Sequence, residues 1–342
     1  MHATARGEVR RPGRYMRLFL TALIALSAPG ALADPEAAAG EEGGMSLEEI
    51  ARMMDNPLGN LWIIFLEGDF ARYRGKPASG GKNINTYMVQ PILPVPLTED
   101  WNLVTRPIIP IVSAPKFELN LAGIPDGAFG DCPGNCNSGG FGGIPPGISL
   151  TSDREVELAD IMVWSMLSPA EPTVLPDGSK FVWGLGPSFR LPTASEDQFG
   201  SEKFSMGPSS VTMRLPAEDG RWTFGLFNQH HFSVGGTSNR SRVRSSQFQY
   251  IWYYKLPWKG QWSLGAAPLV NVNWDANVED KLSFPLGIGL STTFFLGPMP
   301  LRIGIEYNNY VWRPETYGAR HMLKVYLVPV LPRLVKNPVF GS

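Results

Sequence analysis

Between Gln247 and Asp275 the chain alternates residue by residue. Phe248, Tyr250, Trp252, Tyr254, Leu256 and Trp258 are bulky and apolar or aromatic, while Gln247, Gln249, Ile251, Tyr253 and Lys255 between them are mostly polar or amphipathic. After Lys259-Gly260 the alternation resumes, with Trp262, Leu264, Ala266, Val270, Val272 and Trp274 set against Ser263, Gly265, Asn271, Asn273 and Asp275. A two-residue period places successive side chains on opposite faces of a β-strand. Both runs exceed the ~5–6 residues usual in soluble sheets. Aromatics at both ends of the apolar face, Phe248 and Trp258 on one run and Trp262 and Trp274 on the other, form the two girdles of a membrane-spanning barrel.

The pattern recurs along the chain and predicts about twelve strands, at 60–73, 84–97, 101–114, 156–168, 180–193, 204–216, 221–234, 246–258, 261–275, 282–296, 299–313 and 320–332. The connections alternate in length. Thr98-Glu99-Asp100, Ala217 to Gly220, Lys259-Gly260 and Gly297-Pro298 are tight, whereas 74–83, 115–155, 194–203 and 235–245 are long. Short turns at one end and long loops at the other are the arrangement of outer-membrane barrels, and an even strand count returns both termini to the periplasm. The expected fold is therefore all-β, a transmembrane antiparallel up-and-down barrel. A soluble sandwich or lipocalin-like barrel would reverse the faces, and explains neither the strand length nor the aromatics at both ends.

Alternation then assigns the faces. Leu286, Ile288, Leu290, Phe294, Ile303 and Ile305 are expected to face lipid. The expected lumen-lining residues are Glu67, Asp69, Arg106, Asp160, Arg190, Arg214, Lys255, Asn271, Asn273, Arg302, Glu306 and Lys324. An Arg or Lys on the lipid face costs ~2–4 kcal/mol at the midplane, which drives the charges inward. Prolines inside the strands, among them Pro91, Pro107, Pro187, Pro208 and Pro285, remove ladder donors and predict kinks in the wall, or a lateral opening for apolar solutes.

The termini add a compartment. Arg11, Arg14 and Arg17, an apolar core from Leu18 to Ala28, and Ala31-Leu32-Ala33 read as a secretory signal peptide over 1–33, with translation starting at Met16 rather than Met1. Residues 34–59 are expected to be a periplasmic segment. In it Ser46 and Glu49 set up a capping box for a short helix ending at Asn56-Pro57, and the barrel fills 60–342. Past the signal no stretch approaches the ~20 apolar residues of a transmembrane helix. The net charge of −1 gives no argument for nucleic acid. The only two cysteines, Cys132 and Cys136, lie in a Gly/Pro/Asn-rich loop and are expected to form a small disulfide, with no further ligand nearby for a metal.

Several segments, taken together, resemble a bacterial family. They are Asn56-Pro57-Leu58-Gly59-Asn60-Leu61, Gln90-Pro91-Ile92-Leu93-Pro94, and the run from Glu99 through Trp101 and Arg106-Pro107 to Pro110. Phe181 to Phe189, Leu191-Pro192-Thr193-Ala194 and Phe284-Pro285-Leu286-Gly287-Ile288-Gly289 complete the set. The family is one of outer-membrane β-barrels catalogued as transporters with meta-pathway phenol-degradation proteins, and also labelled neuromedin U. The resemblance covers nearly the whole chain from Asn56. It implies an outer-membrane location and transport of small apolar or aromatic molecules, and it supplies no functional residues. The chain departs from the family in its longer loop 115–155 and in its Val339-Phe340-Gly341-Ser342 ending.

The reading is thus a transporter or channel that is not an enzyme and carries no cofactor. Its lumen should be narrow, plugged by loop 115–155 or by residues 34–56. Expected partners are outer-membrane lipid, lipopolysaccharide contacted by Arg240, Arg242 and Arg244, an unnamed solute, and the barrel-assembly machinery. Two alternatives stand beside it. One is an outer-membrane lipid hydrolase using His231 and Ser241, spaced as in outer-membrane phospholipases but with Ser245 where those have an orienting Asn. The other is a structural or adhesive barrel whose long loop binds a partner.

Overall fold

The computed structural model describes residues 46–75, 81–119, 148–332, 335 and 337–340. The signal-peptide expectation, the choice between Met1 and Met16, and the Cys132–Cys136 pairing fall outside the described residues. So does most of loop 115–155.

Twelve antiparallel strands close into a barrel, as the alternation predicts. In chain order they are β1 (Trp62–Gly75), β2 (Lys82–Pro96), β3 (Trp101–Leu119), β4 (Ile148–Leu158 and Met162–Pro169), β5 (Lys180–Arg190) and β6 (Lys203–Leu215). Then follow β7 (Trp222–Gly236), β8 (Arg244–Lys255), β9 (Gln261–Ala266 and Leu269–Asn273), β10 (Leu282–Leu296), β11 (Met299–Trp312) and β12 (Tyr317–Leu331). Each strand pairs with its neighbours in sequence. β1 closes the ring against β12, with Glu67 opposite Tyr326 and Asp69 opposite Lys324. A closed ring leaves no unpaired edge, the condition for a sheet to cross lipid.

β3 and β4 run further outward than the sequence pattern suggests, to Leu119 and from Ile148. β4 is broken between Leu158 and Met162, a kink that the run 156–168 does not announce. Two ladders shift register at prolines, between Phe284 and Pro285 and between Pro115 and Phe117. Pro187 stands opposite Pro208, which concentrates the missing donors at one place. The prolines kink the wall, and the ring stays closed.

The outer surface is apolar, with exposed Leu185, Phe224, Leu226, Leu286, Ile288 and Ile305. Aromatics gather at the short-turn end, where Trp222 packs on Tyr254 at 4.8 Å between ring centroids and Trp258 on Trp262 at 6.1 Å. At the long-loop end Phe284 stacks on Tyr250 at 6.0 Å and meets Trp312 edge-on at 5.5 Å. Polar groups on this face satisfy one another across strands. Thr105 bonds Ser165 at 3.0 Å, Asn228 bonds Ser210 at 2.8 Å, and Ser246 is shared by His230 and the Trp274 indole, each at 2.7 Å.

The interior corrects the expectation of a polar lumen. Val104, Ile108, Trp164, Met166, Val211 and Phe227 all point inward and form the main core cluster. What covers them is the N-terminal helix α1 (Leu47–Met54), capped by the predicted Ser46–Glu49 box. Its Ile50 and Met54, with Leu58 just beyond, join that cluster inside the barrel. The helix therefore sits in the barrel mouth rather than leading up to it. At the opposite end the β5–β6 loop turns inward, and Phe199 is buried with Tyr73, Ile84 and Ala114. Past β12 the chain returns to the short-turn end, where Val339 and Phe340 donate backbone hydrogen bonds to Pro96 and Leu97.

Candidate functional site

The lumen holds the chain's concentrated polar chemistry, and three parts of it can be distinguished. The first is the latch on α1. Arg302 on β11 reaches the Asp55 carboxylate at 2.6 Å and the Ala51 carbonyl at 2.7 Å, and its Nε donates to Thr293 at 3.0 Å. Both partners of the Arg302–Asp55 pair are largely buried, with side chains 10% and 14% exposed. Lys255 on β8 pairs with Glu48, and Arg52 donates to Glu48 and to the Glu218 carbonyl of the β6–β7 turn. The Lys255 ammonium hydrogen bond, aided by the Arg52 charge, holds the Glu48 carboxyl below its ordinary value. Glu49 is held down by the backbone and hydroxyl of Ser46. Every residue type here follows from position: an amphipathic turn inserted among strands must present charge to charged rungs and Ile50, Met54 and Leu58 to apolar ones.

The second part is a charged wall on β1, β11 and β12. Lys324 lies 3.0 Å from Glu67, with both side chains 7% exposed. In register it stands between Asp69 and Glu306. Gln90 donates to Glu67 at 3.2 Å and accepts from Arg106, whose guanidinium lies 5.8 Å over both Phe65 and Trp164. Glu306 is held by the Ala267 amide and the Asn308 side chain, at 2.9 and 2.8 Å.

The third part is a hydrogen-bond relay across β5, β7, β8 and β9. Ser188 donates to Gln229 at 3.0 Å and meets His231 Nε2 at 2.9 Å. Gln229 donates to Gln247, and Gln247 donates to Asn271 at 2.9 Å. Since the one Ser188 proton goes to Gln229, His231 must carry its proton on Nε2 and leave Nδ1 bare.

Ten of the twelve residues assigned to the lumen point into it: Glu67, Asp69, Arg106, Arg190, Lys255, Asn271, Asn273, Arg302, Glu306 and Lys324. Two do not line it. Arg214 faces outward beside buried Met213 and pairs with Asp177 in the β4–β5 turn. Charge is tolerated there because the rim is wet, and hydrogen bonds from Ser179 hold the Asp177 carboxyl below its ordinary value. Asp160 occupies the break in β4, where its carboxylate accepts from the Ser201 amide at 2.8 Å and hydroxyl at 2.7 Å, pinning the β5–β6 loop. Sequence reading passed over Gln90, Trp164, Ser188 and Gln229, although all lie on the inward parity of their strands. It also missed Arg52 and Asp55, because a free periplasmic helix gives its charges no partner.

The hydrolase constellation does not assemble. His231 Nε2 is occupied by Ser188, and Ser241 lies in the β7–β8 loop beyond the ladder; the residue opposite His231 is Ser245. Arg240 pairs with Glu202, and Arg242 and Arg244 with Asp275, so carboxylates already hold the basic loop expected to meet lipopolysaccharide. A concavity of about 620 Å³ lies on the outer wall among Leu66, Phe70, Leu290, Ile303 and Val325. Its lining is almost wholly apolar, with Glu67 of the charged wall also among the residues that border it.

A closed ring of long strands, apolar and aromatic outside and charged within, defines a membrane-spanning β-barrel of the outer-membrane type. Among solved structures the chain is similar to the COG4313 outer membrane channel from Pseudomonas putida F1. The two share 11% identity at a TM-score of 0.50, over 79% of this chain and 95% of that one. It is also similar to a Pseudomonas aeruginosa FadL homologue, with 13% identity, a TM-score of 0.36, and 89% and 96% of the two chains covered. No protein-family model and no curated protein matches the sequence. The first likeness shows the fold.

Proposed function

We propose that the protein is an outer-membrane channel for small solutes, closed at its periplasmic mouth by α1. The observation that carries this reading is the latch: Arg302, Lys255 and the β6–β7 turn hold the helix by side chains and turn carbonyls. A purely structural helix would gain more from an apolar seat, since a buried ion pair seldom adds net stability over a hydrophobic replacement. The likeness in fold to the Pseudomonas putida outer membrane channel and the resemblance of the Asn56–Leu61 and Phe181–Phe189 segments support the same role. The apolar half of the lumen favours solutes with an apolar body.

Planar-bilayer recording tests it. The intact protein should conduct weakly or in rare openings. Arg302→Gln leaves Asp55 unpaired, costing about 3 kcal/mol of docking, so openings should become about 100-fold more frequent. Silence in both, with the barrel folded, would sink the channel reading. Fatty-acid release from lipid vesicles in a parallel assay would favour the hydrolase instead.

A further inference from the structure

Among the described residues nine buried side-chain atoms have no hydrogen-bond partner, and five of them lie in one belt. They are Arg106 Nε, Trp164 Nε1, His231 Nδ1, and the hydroxyls of Ser205 and Ser245. Register places most of them in a single transverse row. Arg106 stands opposite Trp164, Trp164 opposite Ser188, and Ser188 opposite Gly207, whose missing side chain lets Ser188 bridge to His231. Ser245 stands opposite His231. Ser205 is one inward rung away on β6, opposite Arg190. Trp164, His231, Ser205 and Ser245 are at most 1% exposed, so bulk water does not satisfy them.

The chemistry of the row is lopsided. An Arg Nε–H and an indole N–H can only donate and serine hydroxyls can donate; the one pure acceptor of the five is the bare His231 Nδ1, which has Ser245 opposite it. Arg106 has no carboxylate at ion-pair distance among the described residues; its terminal nitrogen goes to Gln90, and Glu67 beyond is committed to Lys324. Flanking rungs are apolar: Val104 and Ile108 beside Arg106, Met166 beside Trp164, and Phe227 tilted against the Trp164 ring at 5.4 Å between centroids. The row therefore asks for anionic acceptor oxygens on an apolar body.

We infer that this belt is a binding station for a small organic carboxylate with an apolar body. The carboxylate oxygens take Arg106 Nε–H and Trp164 Nε1–H, and the body lies against Val104, Met166 and Phe227. The assignment rests on the channel reading and names the solute class for that lumen.

Titration calorimetry on the folded full chain and on Arg302→Gln, with benzoate, benzyl alcohol and benzylamine as probes, tests the assignment at constant ring size. Benzoate should bind at least about 10-fold more tightly than either of the others. Trp164→Phe keeps the ring and removes only the N–H; it should weaken benzoate about 10-fold and leave benzyl alcohol unchanged. Arg106→Gln should erase the preference for benzoate. Heat-modifiable gel mobility confirms that each variant is folded, and Trp164→Phe decides the matter if Arg106→Gln does not fold. Equal binding of benzoate and benzyl alcohol, full benzoate affinity in Trp164→Phe, or no benzoate binding in either background would overturn the station. Conductance without benzoate preference would overturn only the station and leave the channel standing. Benzoate binding that depends on Trp164, in a protein that never conducts, would keep the station and overturn the channel.

Discussion

Lys324 shows what a single inward side chain does in this barrel. It is bonded to Glu67 and flanked in register by Asp69 and Glu306, so one ammonium faces three carboxylates. Removing it strands buried acids. Lys324→Met should cost about 3–5 kcal/mol, read as a shift of the urea midpoint in micelles. Lys324→Met combined with Glu67→Met should recover part of that loss, because it removes a stranded charge along with its partner. A double variant as unstable as the sum of the singles would show that the pair is uncoupled. Gly304 is the complementary case. A β-carbon there would lie 2.2 Å from the Tyr326 ring, which itself stacks on Phe65 at 5.1 Å. Gly304→Ala should therefore lower stability by about 1–3 kcal/mol through overpacking, with the ring displaced from Phe65.

At the scale of an element, α1 combines two kinds of force. Burying Ile50, Met54 and Leu58 contributes on the order of 2 kcal/mol for each side chain, an upper estimate. The ion pairs orient the helix more than they add to that total. They also make docking sensitive to acid. Glu48 has its folded value lowered, so its contribution is present above the ordinary glutamate value of 4.5 and is lost as pH falls through the folded value. Acidification below that range should loosen α1, seen as faster thiol labelling of a cysteine placed at Ser46 or as more frequent openings. Glu48→Gln should loosen it at neutral pH and flatten the response; an unchanged acid response in that variant would point to another group. Ser46→Ala removes the cap and should cost about 1 kcal/mol of helix stability.

These contrasts also show how far the sequence could be read. Strand faces were legible because lipid admits few exceptions: Leu286, Ile288 and Ile305 alternate cleanly against Gly287, Gly289 and Glu306. Arg214 was misplaced because the rule that drives charge inward lapses at a wet rim. The partner of Asp160, Ser201, was illegible because the break in β4 leaves no periodic trace. The apolar half of the lumen was illegible for another reason. Val104, Met166 and Phe227 are inward only because a distant segment covers them, and alternation carries no information about what fills a barrel.

For the whole molecule, the wall and its closures are separable. Among the described residues the strand ladders make no backbone–backbone bond to α1, so deleting residues 46–59 should leave a folded barrel by heat-modifiable mobility, with a larger steady conductance and a lower melting temperature. Loss of folding would mean that the wall needs its filling.

The plug also hangs from the first strand of the ring, at the end where that strand enters. The connection from Asp55 to Leu61 is seven residues long and so reaches about 23 Å when extended. A helix on such a leash can swing clear into the periplasm and return without unzipping a strand or threading through the pore. It leaves by the door it came in. On the channel reading proposed above, opening would need no rearrangement of the wall, and a released helix would come within reach of proteins on that side of the membrane.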